Sequence, residues 1–404
     1  MTDDEALRAF ENGSYPKEHW NHAAHLRMAG CYLTRYALEE ALVRMREGVR
    51  RYNEATGGKN TDDSGYHETL TCFWMAIAGA FLTGRPDSEP RNAKVQALVD
   101  QFAPRRDLFR DYYSFDVVKS REARLEWVAP DLKLLPMDDR QAAKFWDCNA
   151  DAWTRLVREG YDVYRDYLNT PAFFAMLPGV EGLRALDIGC GEGYNTRLLA
   201  RRGARVTAID IAPRFVAHAA DAERTEPLGI AYCAASAQSL PFPDNAFDLA
   251  TATMTLMDVP RPEQALREAR RVLKPGGFLQ LSICHPCFDT PHRRNLRDDN
   301  GRTYAIEVGD YYRNLDGRID EWLFSAGCGA AAPLSAKAGF AKFKTPRFTR
   351  TLSQWMNALI GAGFILERVE EPAPSDETVR ACRRLQGAQV VAYFLHIRAR
   401  RLPV

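Results

Sequence analysis

The 404-residue sequence has no long apolar run, almost no net charge and no regular cysteine spacing. The missing apolar run excludes a membrane-spanning helix. A formal net charge of +1 gives no electrostatic reason to expect nucleic acid or an anionic membrane as partner. The nine cysteines are odd in number and scattered, which argues against a disulfide framework. Because the acidic N-terminus also lacks the apolar stretch of a signal peptide, we expect a cytoplasmic protein.

The length favours two domains, and the hydrophobic periodicity changes along the chain. Residues 1–137 are predicted to be all-helical, since apolar residues recur there at three- and four-residue spacing. From residue 183 onward short apolar strands alternate with amphipathic helices, which is typical of an α/β domain with a parallel sheet. We therefore predict a helical domain of unknown role over residues 1–137 and an α/β domain over 138–404.

A glycine-rich turn follows the first predicted strand of the α/β domain. Gly189, Gly191 and Gly193 let the backbone turn sharply and approach a ligand closely. The second strand ends at Asp210, about 20 residues downstream, a spacing that suits a carboxylate binding a ribose diol. The spacing of the glycines differs from the G-x-G-x-x-G of dinucleotide sites, and Asp187 would repel a pyrophosphate. An acid there suits the ammonium and sulfonium of S-adenosylmethionine.

Further segments follow in a recognisable order. Residues 235–244 look like a loop that walls an adenine, residues 247–256 are predicted to form a fourth strand, and residues 274–277 a tight turn into a fifth strand. This series resembles the class I S-adenosylmethionine-dependent methyltransferases of the type 11 sort, over residues 139–400. The resemblance implies a Rossmann-like, seven-stranded sheet and S-adenosylmethionine as cofactor.

The same resemblance implies further contacts to the cofactor. Ser236 and Ala237 are expected beside the adenine, although the acid usual in that loop is a serine here. Thr253 and Met254 end the fourth strand, so their backbone is expected near the methionine end of the cofactor. The side chains of both residues could equally belong to the core.

The α/β domain is predicted to comprise a helical lid (138–180), a cofactor-binding core (181–283), a substrate-cover insertion (284–347) and a closing helix with strands (348–404). The acceptor would lie between the lid and the insertion, against six side chains: Tyr161, Tyr164, Arg165, Tyr311, Tyr312 and Trp322. Aromatic faces could surround a cation, and an arginine could bind a carboxylate. The alternative is that these aromatic side chains are simply buried against the sheet.

His285 follows the fifth strand, whose carboxyl end should border the ligand crevice. Its imidazole is a candidate general base at neutral pH. The alternatives are a structural histidine, or a redox or zinc role for Cys284 and Cys287, which lack a second C-x-x-C.

Half of the eight histidines lie in the first domain. His22 and His25 share a helical face if one helix covers them, and His67 with Glu68 could complete a divalent metal site. Capping and core histidines would produce the same pattern. Two segments of this domain, 20–27 and 65–71, resemble an uncharacterised bacterial helical domain, which implies no activity.

We therefore expect methyl transfer from S-adenosylmethionine to a small-molecule acceptor through an O, N, S or C atom. Two alternatives stay open at this point: a catalytically silent module that senses S-adenosylmethionine, and a two-activity enzyme with a metal site in the helical domain. Measuring the metal content of the purified protein distinguishes the two-activity enzyme from the other two possibilities. The sequence defines neither the acceptor nor the oligomeric state.

Overall fold

The computed structural model describes residues 1–83, 85, 89–132, 135–324 and 339–402. The chain divides into two compact units, Met1–Asp138 and Asp139–Val404. Within the described ranges, no helix combines the length and the apolar character that crossing a membrane requires.

The described part of the first unit contains six α-helices: α1 (Asp3–Glu11), α2 (His22–Leu33), α3 (Leu38–Ala55), α4 (Glu68–Thr83), α5 (Arg91–Phe102) and α6 (Arg121–Leu125). Helix α1 begins at a capping box in which Thr2 and Glu5 satisfy each other's backbone N–H groups. The rings of Phe10 and Trp20 stack with centroids 5.0 Å apart, and Tyr52 packs against both. The helical character predicted for this region is confirmed.

The second unit alternates helices with strands. Its helices are α7 (Asp139–Arg158), α8 (Thr170–Met176), α9 (Tyr194–Arg201), α10 (Pro213–Thr225), α11 (Pro262–Val272), α12 (Leu352–Gly361) and α13 (Asp376–Ala381). Its strands are β1 (Arg184–Ile188), β2 (Arg205–Asp210), β3 (Ala231–Ala234), β4 (Phe247–Thr253), β5 (Leu273–Cys284), β6 (His292–Arg297), β7 (Thr303–Gly309), β8 (Arg318–Trp322), β9 (Phe343–Arg347), β10 (Phe364–Glu370) and β11 (Phe394–Arg401). A π-helical turn, Arg165–Asn169, precedes α8.

Seven strands form one sheet in the order β10-β11-β5-β4-β1-β2-β3. Strands β1 to β5 are parallel, and β11 runs antiparallel to both β5 and β10. The strand order reverses between β1 and β4, which is where an open α/β sheet leaves a ligand crevice. This sheet confirms the predicted fold class.

The sequence predicts a separate turn at residues 274–277 before the fifth strand, but in the structure these residues belong to β5. The strand begins at Leu273, and its pairing with β4 jumps from Leu273 to Phe278, so residues 274–277 bulge from the ladder. Gly276 adopts φ +79° in this bulge. A glycine meets that requirement without the steric cost that a side chain would carry.

The region between β5 and α12 forms two hairpins outside the main sheet, β6–β7 and β8–β9. The predicted cover insertion, 284–347, includes residues 325–338, which lie outside the described residues. Helix α7 is bonded to the second hairpin, because the Asn149 side chain donates to the Lys344 carbonyl (2.9 Å) and accepts from the Lys344 N–H (3.2 Å).

One described cysteine departs from the expectation that the chain has no disulfide framework. Seven of those that the structure describes are free, whereas Cys382 is disulfide-bonded. The cytoplasmic setting therefore stays a prediction.

Gly189, which follows β1, packs so closely against Thr255 that a Cβ placed there would overlap its side chain. We expect Gly189→Ala to destabilise the protein by about 3 kcal/mol, because this overlap adds to the strain of φ +72°. Gly191→Ala is the matched control: its φ is +54°, and no described atom lies within 4 Å of its Cβ, so about 1–2 kcal/mol is expected. Urea unfolding without ligand measures both, and equal losses would contradict the steric role of Gly189.

Candidate functional site

A cavity of about 1010 Å³ opens at the strand-order reversal of the second unit. Its walls include the glycine turn after β1, the ends of β2 and β4, the lid residues after α7 and parts of the two hairpins. This volume is at the upper end of the range for ligand pockets, which is enough for a cofactor and a second small molecule.

The three glycines of the turn all adopt left-handed backbone conformations, with φ of +72°, +54° and +91° for Gly189, Gly191 and Gly193. Helix α9 begins directly after Gly193. The turn thus brings the backbone to the cavity wall and directs the N-terminus of a helix there, as predicted from the glycine spacing.

Asp187 is buried beneath this turn. Its Oδ2 accepts a hydrogen bond from the Thr196 hydroxyl (2.5 Å), and its Oδ1 accepts one from the Thr251 hydroxyl (2.8 Å). Burial raises the pKa of this carboxyl, and the two hydroxyl groups oppose the shift. The residue lines the cavity, and its bonds connect β1, β4 and α9. Its role in the structure is therefore to join these elements, and its contact with a cofactor stays a prediction.

Asp210 ends β2 and also lines the cavity. Its two carboxylate oxygens accept the N–H groups of Gly191 and Ala212, both at 2.9 Å. Burial raises its pKa to about 6, while these N–H groups work against the shift. The carboxylate is therefore held against the glycine turn, where its remaining lone pairs can accept ligand hydroxyl groups.

Ser236 and Ala237 line the cavity, and so does Asp139, which the sequence-based prediction missed. The Ser236 hydroxyl donates to the carboxylate of Asp139, at the start of α7, and accepts from the N–H of Gln238 (3.0 Å). Asp139 thus supplies a carboxylate beside the loop of residues 235–244, in which serine stands at the position where an acid is usual. Since Asp139 lies 97 residues away in sequence, no local motif could indicate it.

Thr253 and Met254 lie at the end of β4, on the cavity wall. Met254 adopts φ +55°, which is uncommon for a residue other than glycine. Its N–H bonds to the Ser282 carbonyl (2.9 Å), which anchors this conformation to β5. The Thr253 hydroxyl is buried and has no hydrogen-bond partner among the described residues.

The prediction that His285 projects toward the reacting methyl group is wrong in this structure. The cavity is lined by its neighbours Cys284 and Pro286, but not by His285 itself. Its Nδ1 accepts the Cys287 N–H (3.2 Å), so its Nε2 carries the proton and lies 2.6 Å from Glu371. With both ring nitrogens bonded, His285 is a structural residue that connects the end of β5 to the segment after β10.

Five of the six predicted acceptor side chains line the cavity: Tyr161, Tyr164, Arg165, Tyr311 and Trp322. Tyr312 does not, because its side chain is 87% exposed and only the preceding Tyr311 turns inward. The prediction for Tyr312 is therefore wrong.

Arg165, in the predicted lid, already makes several contacts within the protein. The guanidinium of Arg165 bonds Asp166 (2.8 Å), Glu192 (3.3 Å) and the Val157 carbonyl (3.1 Å). It also lies over the Tyr194 ring, 4.0 Å from the centroid. Arg165 thus holds the start of α9 against the lid and has few N–H groups left for a ligand acid.

Aromatic side chains form one wall of the cavity. Trp153 meets Trp322 edge-on with centroids 5.4 Å apart and Phe324 at 4.9 Å. The Trp322 indole N–H bonds the Thr345 hydroxyl (2.9 Å), which fixes its orientation. We call Trp153, Trp322 and Phe324 the aromatic wall.

Charged side chains of both signs also line the cavity. Eight of them come from the turn after β4, the segment after β5, the two hairpins and the segment before α12: Asp258, Asp289, Asp320, Glu321, Arg293, Arg318, Arg347 and Arg350. Sequence reasoning missed Asp258, Asp289 and Arg347, because no short motif contains them.

The first unit does not bring its histidines together as a metal site. His67 Nε2 lies 3.0 Å from the Val117 carbonyl, and His25 Nδ1 lies 2.9 Å from the Asn21 carbonyl. Glu68 is occupied by Arg46 and by the Tyr66 hydroxyl. Within the described part of the chain, no group of three or more His, Cys, Asp or Glu side chains is arranged to hold a metal ion.

His22 has a different environment from the other two. Its ring packs on Trp74 with centroids 4.4 Å apart, and burial lowers its pKa to about 4. These separate environments contradict a shared site of His22, His25 and His67.

Comparison with known proteins provides an independent line of evidence. A family model described as a methyltransferase domain matches residues 186–281. A ubiquinone biosynthesis O-methyltransferase of Xanthomonas oryzae is 35% identical over 142 residues, which are 35% of this chain and 56% of the relative. A demethylmenaquinone methyltransferase of Tropheryma whipplei is 39% identical over 118 residues, 29% of this chain and 47% of the relative. The chain spans about half the length of these curated relatives.

Solved structures match a longer part of the chain. The S-adenosylmethionine dependent methyltransferase of Mesorhizobium loti is 30% identical, with a TM-score of 0.45, covering 57% of this chain and 96% of that protein.

The raised pKa of Asp210 predicts a pH dependence of stability. Because the folded state binds this proton more tightly than the unfolded state, the contribution of Asp210 is fully present below its ordinary pKa of 3.8. It is lost as the pH rises to about 6, by roughly 2–3 kcal/mol. We expect the stability of the wild-type protein relative to Asp210→Asn to fall across this window in urea unfolding. Parallel pH profiles of the two proteins would contradict the raised pKa.

Proposed function

The chain carries an S-adenosylmethionine-dependent methyltransferase domain, and we propose that it transfers the cofactor's methyl group to a small molecule bound in the same cavity. The observation that carries this proposal is the composition of the cavity walls. The glycine turn and Asp210 line the cavity from the seven-stranded sheet, whereas the aromatic wall and the charged residues of β8 and β9 line it from α7 and the second hairpin, outside that sheet. Two chemically different surfaces in one cavity suit two different ligands.

We propose that the residues on the glycine side bind the cofactor. Asp210 would accept the ribose hydroxyl groups, and Ser236 with Ala237 would contact the adenine. Asp139 would supply the acid that the adenine loop lacks, since its carboxylate already meets Ser236. The backbone at Thr253 and Met254 would face the methionine end, with Asp187 supporting the turn from below.

The acceptor would bind between Tyr161, Tyr164, Tyr311 and Trp322. The sulfonium activates its own methyl group, so the protein's contribution is to align the acceptor atom, exclude water and accept a proton where one is released. The curated relatives are named for ubiquinone biosynthesis and for demethylmenaquinone, which supports a small organic acceptor and leaves its identity open.

The first test is binding of S-adenosylmethionine by calorimetry. We expect saturable binding by the wild-type protein, and Asp210→Ala should weaken it by roughly 1–3 kcal/mol through the loss of a charge-assisted hydrogen bond. The matched control is Asp299→Asn, which removes an exposed carboxylate away from the cavity and should bind like the wild type.

The outcomes of this test distinguish the role of Asp210 from the proposed function of the protein. Wild-type affinity in Asp210→Ala would remove Asp210 from ribose binding. Binding of NADH without any binding of S-adenosylmethionine would overturn the proposed function. Release of S-adenosylhomocysteine in a metabolite screen would then identify the acceptor.

A further inference from the structure

The carboxyl groups that line the cavity differ in whether the protein already satisfies them. Asp187 and Asp210 bind hydroxyl and backbone donors, and Asp289 is paired with Arg347 at 2.9 Å. Asp320 is likewise paired with Arg318 and Arg347. Asp258 also faces the cavity, yet its carboxyl group forms no hydrogen bond or ion pair with any described residue.

Asp258 is positioned by the sheet. It closes the short 3-10 turn Leu256–Asp258, which follows the end of β4 at the strand-order reversal. Leu256 is buried and anchors this turn in the core, whereas Asp258 is only partly shielded because it borders the cavity. A carboxyl group on a fixed turn, open to a cavity and without a protein partner among the described residues, has its lone pairs available for a ligand.

Resting on the methyl transfer proposed above, we propose that Asp258 is the general base that accepts the proton of a hydroxyl group on a flat aromatic acceptor. This assignment replaces His285, whose two ring nitrogens are both bonded outside the cavity.

The aromatic wall argues for the shape of the acceptor. Trp153 and Trp322 border the cavity with Phe324, so a planar ring can pack against them in stacked or edge-on contact. Ion pairs within the protein argue for a neutral acceptor. Asp289 and Asp320 are paired with Arg347, and Arg350 is paired with Asp316 and Glu263, so these charges are already compensated.

The chemical step balances with the two ligands and Asp258 alone. The acceptor O–H bond breaks, and its proton passes to a carboxylate oxygen of Asp258. The acceptor oxygen forms a bond to the methyl carbon while the methyl–sulfur bond breaks, and that electron pair stays on the sulfur of S-adenosylhomocysteine. The protonated Asp258 then returns its proton to solvent after the products leave.

The surroundings of Asp258 make its carboxylate a stronger base than an exposed one. Burial raises its pKa well above the usual value, the negative charge of Asp289 adds to this, and the Arg347 guanidinium opposes it. Cys284 is a further titratable neighbour, and its own pKa is raised by burial. Because the base must be ionised, turnover should increase as the pH rises through the pKa of Asp258 and then level off.

The test uses the full-length protein and catechol as the probe. Calorimetry on protein saturated with S-adenosylhomocysteine compares catechol with 1,2-dimethoxybenzene, which has the same ring but no O–H. Turnover is measured as transfer of labelled methyl from S-adenosylmethionine to catechol. Asp258→Asn removes the base at nearly constant size, Asp258→Glu restores a carboxyl group, and Asp299→Asn removes an exposed carboxyl as the matched control.

We expect the wild type to bind catechol at least ~10-fold more tightly than 1,2-dimethoxybenzene. Asp258→Asn should lower kcat by at least ~100-fold and abolish the rise of kcat with pH, with little change in KM for catechol or in affinity for S-adenosylhomocysteine. Asp258→Glu should recover part of kcat, and Asp299→Asn should behave as the wild type. Unchanged affinity for S-adenosylhomocysteine also shows that Asp258→Asn is folded.

Three results would overturn the inference: equal binding of the two rings, no methyl transfer to catechol by protein that binds both ligands, or an unchanged pH profile in Asp258→Asn. Failure of the wild type to bind S-adenosylmethionine would instead overturn the proposed function, so the two failures are distinguishable.

Discussion

The buried carboxylate of Asp187 is the constraint on which the rest of the cavity depends. It is bonded to one hydroxyl from α9 and one from β4, and it lies on β1 itself. A buried carboxylate that lost these donors would be strongly destabilising, so the three elements keep a fixed relationship. That relationship sets where the glycine turn lies, and Gly189 then packs against Thr255, two residues beyond the end of β4. The ends of neighbouring strands are thereby held together around one crevice.

The features predicted correctly from sequence are those encoded locally. The apolar spacing of the helices in residues 1–137 and the glycine turn after β1 each depend on residues within a few positions of one another. The alternation of strands and helices predicts a parallel sheet with right-handed crossovers, whereas the count of seven strands comes from the family resemblance. The fold class and the glycine side of the cavity are therefore predictable from the amino-acid sequence alone.

The acceptor side is less predictable because long-range packing determines it. His285 is expected in the cavity because it follows β5, but its ring turns to Glu371, 86 residues away. Asp139 reaches Ser236 across 97 residues, and Arg347 reaches Asp289 across 58. Such pairings leave no periodic or motif signal in one sequence. The three histidines of the first unit show the converse. Their spacing suggests a shared site, but His25 and His67 bond different backbone carbonyls and His22 packs on the Trp74 ring.

Helix α7 contacts both sides of the cavity and therefore links the two proposed ligands. Over its 20 residues, roughly 30 Å long, it contacts the adenine loop through Asp139 and the second hairpin through Asn149. A ligand that orders one end of a rigid rod lowers the entropic cost of ordering the other end. Occupation of the glycine side would thus favour binding of the second ligand, which is positive heterotropic cooperativity between the two halves of one cavity.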